Sequence, residues 1–414
     1  MASPRRPRPA AADWSSMHVD LVECIAERVL AGDLIDYVRL RAACSHWRSC
    51  TVDPRGRGVA DPRFHPRLWM MLPEGHGLHP GHAKLCGHVR FFNRYTGALV
   101  SVHLPLFVDH AVLDSTDGLV LLQRDVDTTV HLLNPFTGDI CELPPLKSVY
   151  PQLNLNLLPY FRRVSAAVSV APATGTITVL LALEYLDGFA HASTGDRGWT
   201  LTRCSANSLS MSRTLPFHGS LYMVQFVSSE EPSILRLDPP LLEEDGSSSP
   251  SLPPPQTIAK LPANLMIQPR LVECDSEILV VGNTDISCSH LVVIRLADLL
   301  QGRPAAPLTS IGDHCLIFGM RSLAVSSKGL PSISRNSIII CDIEKDRVLQ
   351  YNLGDGTLLP ACDGDTVRSP PPCPHSMVNH LITCCYRHYW NKGLIYCSST
   401  RPWWTTKEKW RRGS

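Results

Sequence analysis

The sequence predicts a mainly β protein with a small N-terminal α module, and three observations support that reading. From residue 67 to 399, short apolar runs alternate with turns rich in Gly, Asp, Pro and Ser, the pattern of many short strands. Beyond residue 52, apolar residues at helical spacing over ten or more positions are scarce. Residues 14–52, in contrast, carry apolar residues at helical intervals.

The helical segment reads WSSMHVDLVECIAERVLAGDLIDYVRLRAACSHWRSCTV. Leu21, Ile25 and Val29 recur at four-residue spacing and stack along one face, with Glu23, Glu27 and Arg28 mostly elsewhere. Gly32 ends that helix, and Asp33 can cap the next by accepting from its first amides. A second stripe runs through Leu40, Ala43, Cys44 and Trp47, flanked by Arg39, Arg41 and Arg48. Two or three short helices of this kind cannot cover their own apolar surface and need another body to do so.

In the strand-rich region, apolar runs fall at 119–123, 130–133, 167–170, 177–183, 221–227, 278–281, 291–296, 316–318 and 338–341. Pro135-Phe136-Thr137-Gly138 and Ala173-Thr174-Gly175-Thr176 are hairpin signals between such runs. One or two helical turns are expected around 296–300. Short strands at this density fit a sandwich, a barrel or a propeller. Roughly 330 residues are too many for one ordinary sandwich, and blades of about 40 to 50 residues would give roughly six to eight. The expected organisation is a disordered tail at 1–13, the helical module at 14–52, the β domain at 67–400 with a disordered Ser/Pro-rich loop at 243–257, and a tail at 401–414.

Composition narrows the function classes. With 44% apolar and 19% charged residues over 414 positions, the chain reads as an ordinary globular protein. A net charge of +1 gives no general attraction to nucleic acid or an anionic membrane. No apolar run reaches the length of a membrane helix, and MASPRRPRPAAAD lacks the apolar stretch of a secretory signal. The 15 cysteines are therefore expected to be reduced and mostly buried, in the nucleus or cytoplasm.

Two clusters suggest metal ligation. His76, His79 and His82, with His65, Cys86 and His88 nearby, are interleaved with Gly and Pro as in an exposed loop. His375, His380, Cys384, Cys385, His388 and Cys397 include adjacent cysteines, which on a strand would point to opposite faces. No Cys-x-x-Cys, nucleophile elbow or phosphate-binding glycine loop occurs. Trp403, Trp404 and Trp410 among basic residues at the C-terminus fit a frayed end better than a nucleic-acid or membrane contact. The sequence thus predicts no catalytic residue, no metal and no cofactor.

Residues 14–52 resemble an F-box. Trp14, Asp20, Leu21, Ile25, Leu30, Arg41, Ala42, Cys44, Trp47 and Arg48 fall in the order of that family's outline. The departure is at its Leu-Pro step, written here as Met17-His18. The runs 119–146, 197–201, 271–281, 310–340, 351–364 and 383–397 are similar to a plant family, greatly expanded in grasses, that joins an F-box to a KIB-type, kelch-like β-propeller. The resemblance implies a substrate-recognition subunit of an SCF-type (Skp-cullin-F-box) ubiquitin ligase, an adaptor and not an enzyme. Met17, His18, Leu21, Ile25, Leu30 and Trp47 would then bind a Skp-family adaptor, and the propeller an unidentified target protein. Two alternatives stand beside it: the helices merely cap the β domain, or a degenerate F-box serves a propeller scaffold outside ubiquitination.

Overall fold

A computed structural model describes residues 14–72, 88–152, 164–183, 188–203, 214–226, 231–240, 252–261, 267–284, 290–303, 306–319, 321–330, 333–342, 347–361, and 378, 381, 382 and 385. Six sheets, each built from consecutive chain, form a six-bladed propeller. Blade 1 holds β1 (Trp69–Met71), β2 (His88–Asn93) and β3 (Leu99–His103). Blade 2 holds β4 (His110–Thr116), β5 (Leu119–Arg124), β6 (Val130–Leu133) and β7 (Ile140–Leu143). Blade 3 holds β8 (Val164–Val170), β9 (Ile177–Leu183), β10 (Gly188–Ser193) and β11 (Thr200–Arg203). Blade 4 holds β12 (Leu215–Phe217), β13 (Ser220–Gln225), β14 (Ser233–Leu237) and β15 (Gln256–Lys260). Blade 5 holds β16 (Ile267–Cys274), β17 (Glu277–Asn283) and β18 (Leu291–Arg295). Blade 6 holds β19 (His314–Ile317), β20 (Leu323–Ser326), β21 (Ser337–Asp342), β22 (Arg347–Asn352) and β23 (Leu358–Pro360), with β19 parallel to β21.

The core is a ring of six apolar layers, one between each pair of neighbouring blades. Along β5, Leu119 and Leu121 face blade 3 while Val120 and Leu122 face blade 1. Along β9, Val179 and Leu181 turn to blade 2 while Leu180 and Ala182 turn to blade 4. Along β17, Ile278 and Val280 meet blade 4 while Leu279 and Val281 meet blade 6. Successive side chains point to opposite faces, and both faces are covered. These strands therefore read as unbroken apolar runs instead of alternating ones.

The ring closes between blades 6 and 1, where Leu72 and Phe92 pack on Cys315, Ile317, Leu323 and Val325. Gly97, at the end of the β2–β3 turn with φ +72°, lies so close to the Gly329 backbone that a Cβ would collide with it. Beside it, the Ser326 amide donates to Arg94 O at 2.8 Å. Asp114, fully buried in β4, joins three blades. Its Oδ2 accepts from the Ala166 amide of blade 3 at 2.7 Å, and its Oδ1 from Arg321 of blade 6 at 3.0 Å.

The helical module contains a short turn at Trp14–Ser16, α1 (Val19–Gly32), α2 (Leu34–Ala43) and α3 (Ser45–Ser49); α4 (Leu296–Leu300) lies in blade 5 after β18. The predicted stripe Leu40–Trp47 is not one helical face. The backbone is extended at Cys44 (φ −155°, ψ 162°), so Trp47 belongs to a separate helix capped by Cys44 Sγ at 3.3 Å. Asp33 caps α2 as predicted, accepting from the Ile35 amide at 2.6 Å. The same carboxylate also takes Trp69 Nε1 at 3.0 Å and Asn93 Nδ2 at 2.7 Å, joining the module to blade 1.

A second attachment comes from blade 2. Asn134 Nδ2 donates to Gly58 O and Phe64 O, and Asp139 accepts from the Gly56 and Gly58 amides at 2.7 and 2.6 Å. These two residues flank the Pro135–Gly138 turn, so one hairpin both ends a strand pair and holds the connection to the module. Two sequence expectations need correcting. Strand β15 begins at Gln256, and Leu252 packs on the layer between blades 3 and 4, so the 243–257 segment is ordered at its end. Residues 241–251 lie outside the described residues. Cys385, expected on a strand, is helical and buried.

Candidate adaptor-binding face and propeller mouth

Helix α1 divides its apolar residues between two sides. A residue every four positions drifts by about 40° per step around a helix of 3.6 residues per turn. The predicted stripe therefore rotates from outside to inside along its length. Leu21 is 57% exposed, Ile25 is half-buried, and Val29 packs on the inward cluster of Ala26, Leu34, Tyr37 and Phe64. Val22, fully buried, replaces Leu21 as the first inward residue.

The six predicted adaptor-contact residues consequently separate. His18 and Leu21 are exposed, and Met17, Ile25 and Trp47 are half-buried. Leu30 is half-buried as well, but on another side of the helix. Nine positions after Leu21 it lies about half a turn round the helix, and it packs against the inward cluster on the propeller side. Three exposed apolar residues of the module went unnamed as contacts: Val19 and Val38, each 41% exposed, and Trp14, 61% exposed. Their exposure depends on which helix face docks on the propeller, and the sequence of 14–52 does not state that.

The motif residues hold the module's own geometry. Trp47 Nε1 donates to Trp14 O at 3.0 Å, and a His46 ring nitrogen lies 2.8 Å from Met17 O, fixing the entry to α1 on α3. Arg41 donates to Thr51 Oγ1 at 3.1 Å and pairs with Asp53, whose carboxyl it holds below the usual carboxylate range. Tyr37 donates to Val52 O at 2.7 Å. At His18, φ is −58°, within the range proline imposes, and the ring Nδ1 accepts weakly from the Asp20 amide at 3.4 Å.

On the propeller, the β4–β5, β12–β13 and β16–β17 turns place Asp117, His218 and Ser276 at one mouth. Together with the module they enclose a cleft of about 480 Å³, lined also by Glu27, Asp33, Arg63, Arg94 and Tyr95. Gly118 is needed beside it: φ is +76°, and a Cβ would strike Pro66 O.

Residues 91–356 match the family model of the KIB1-4 beta-propeller, about two thirds of the chain. The chain belongs to the KIB1-4 beta-propeller family. No curated protein matches it. The match spans blades 2 to 5 completely, β3 and half of β2 in blade 1, and blade 6 up to β22, and leaves the helical module outside.

Neither histidine cluster is assembled by the described part of the KIB1-4 chain. His76, His79, His82 and Cys86 lie outside the described residues, as do His375, His380, Cys384, His388, Cys397 and the tails at 1–13 and 401–414. His65 is buried with Nε2 2.9 Å from Val59 O, and burial lowers its pKa. Cys24, Cys44, Cys50, Cys141, Cys274, Cys315 and Cys385 are free thiols. Burial pushes the Cys141 thiol up to about 11 and that of Cys315 to about 12, so neither is a ready nucleophile.

Proposed function

We propose that this KIB1-4 propeller protein is the substrate-recognition subunit of an SCF-type ubiquitin ligase of plant origin. The helical module is an F-box that engages a Skp-family adaptor, and the propeller holds a target protein. The observation carrying this reading is the uneven cover of the module. It is fixed to blades 1 and 2 through Asp33 and Asn134, while Trp14, Val19, Leu21 and Val38 remain exposed. A helical lid whose only task was to cap the propeller would have no use for these exposed side chains. Burying one leucine of this kind contributes about 1.5–3 kcal/mol.

The chain acts as an adaptor and carries no reaction of its own. Attachment to a cullin complex through the module brings a propeller-bound target to the ubiquitin-conjugating enzyme. The rate gain comes from effective concentration and orientation. The proline-like φ at His18 also supports adaptor binding, because the Met17-His18 departure leaves the backbone in the conformation that Leu-Pro would give.

Co-purification with a plant Skp-family adaptor tests the proposal. The wild-type chain is expected to form a stable complex, and Leu21→Asp to lose it while remaining folded. A folded wild-type chain that captures no adaptor points instead to the second reading, a propeller scaffold with a degenerate F-box.

A further inference from the structure

The β16–β17 turn carries an unusual group. Cys274 ends β16, Asp275 follows in the turn, and His314 opens β19 in the next blade. One ligand atom from each, the Cys274 sulfur, an Asp275 carboxylate oxygen and a His314 ring nitrogen, lie within 4.8 Å of one another. Among the described residues, this is where Cys, His and a carboxylate converge at such spacing.

The geometry around the group is that of a metal ligand set. His314 Nδ1 lies 3.2 Å from the carbonyl oxygen of Ile311, a contact in which only Nδ1 can donate. A metal-bound histidine typically makes this outer contact. Nε2 lies 3.2 Å from Asp275 Oδ1 and is buried without a hydrogen-bond partner. Tyr95, from the blade 1 turn, already donates its hydroxyl to that same oxygen at 2.7 Å. Asp275 and Ser276 both have positive φ, +49° and +61°, in a turn without glycine. Backbone held in that region at non-glycine residues has an energetic cost and needs support from its surroundings. Cys274 is 7% exposed and joins the apolar layer between blades 5 and 6.

We propose that Cys274 Sγ, the Asp275 carboxylate and His314 Nε2 bind one Zn²⁺ ion and so clasp blades 5 and 6, with Tyr95 of blade 1 as the outer partner. One soft sulfur, one imidazole and one carboxylate select zinc over magnesium or calcium. Three protein ligands leave the fourth tetrahedral position to water, facing the adjoining cleft lined by Tyr95, Arg295, Asp313 and Lys328. Binding requires the thiolate, so the Cys274 proton passes to solvent as the Zn–S bond forms.

Cobalt titration of the chelator-stripped full-length chain tests the site. One equivalent of Co²⁺ should produce a thiolate-to-metal charge-transfer band that Zn²⁺ removes, and Zn²⁺ should raise the melting temperature. Cys274→Ser should abolish the band and the thermal gain, whereas Asp275→Asn should keep the band and weaken affinity at least tenfold. The combined His76→Ala, His79→Ala, His82→Ala variant should behave as wild type. No band in the wild-type chain, or an undiminished band in Cys274→Ser, overturns the proposal. Should Cys274→Ser fail to fold, unaltered affinity in Asp275→Asn overturns it equally. Adaptor binding is independent of this site, so its outcome does not bear on this test.

Discussion

The helical module and the propeller place apolar residues in opposite ways. In blades 2 and 3 every residue of β4, β9 and β10 is buried, because a neighbouring blade covers each face. In the module, one helix carries buried Val22 and Ala26 beside Leu21 at 57% exposure. The propeller completes its core within its own chain. The module leaves Trp14, Val19, Leu21 and Val38 uncovered. An apolar residue alone therefore does not mark an interface, and neither does a single exposed one; several uncovered within one small module are what suggest a partner.

The comparison breaks most severely at Asp114. Asp114→Ala strips the Ser115 and Ala166 amides of their acceptor and leaves Arg321 without its carboxylate. Removing one partner of a buried pair costs about 3–5 kcal/mol. Denaturant unfolding should show that loss in the propeller transition, and a change under 1 kcal/mol would remove Asp114 from the account of ring closure. Asp33→Ala should cost about 2 kcal/mol, through a lost helix cap and two unsatisfied donors. Hydrogen exchange should report that loss in α1 and α2 while the blades stay protected. Leu21→Asp should change stability by no more than about 0.5 kcal/mol, yet weaken adaptor affinity by about 2 kcal/mol or more in calorimetry. A matching loss of stability would mean Leu21 is a core residue after all.

A smaller effect follows from pH. Burial lowers the pKa of His65, at the junction, and of His131 in blade 2, where His110 adds to the shift. The unfolded chain then binds more protons below its ordinary histidine value of about 6.5, so this contribution is present above that pH and lost as pH falls. Melting temperature should drop between pH 7 and 5.5, and a flat or rising curve would contradict it. The smallest effect is that of His18→Pro. The φ of −58° accepts proline, at the cost of the 3.4 Å cap contact, so stability should shift by less than about 1 kcal/mol.

Nine of the 23 described strands were legible because propeller packing buries both faces and writes them as continuous apolar runs. The 177–183 run is β9 and the 130–133 run is β6, residue for residue. Blade number was not legible, since no repeated signature marks each blade and β1, β12 and β23 are only three residues long. In the module the helices were legible, but the side facing out was not. That choice rests on Asp33, Asn134 and Asp139 bonding across separations of 36 to 83 residues. The Cys274–Asp275–His314 group was hidden for the same reason, being brought together by two neighbouring blades.

The most direct test of the two-sided module is hydrogen–deuterium exchange on the full chain, alone and with a Skp-family adaptor. Protection should increase around Trp14, Leu21 and Val38 and remain unchanged in the blades. Protection gained at the propeller mouth, or no change in the module, would contradict an adaptor-binding face and return the helices to the role of a cap.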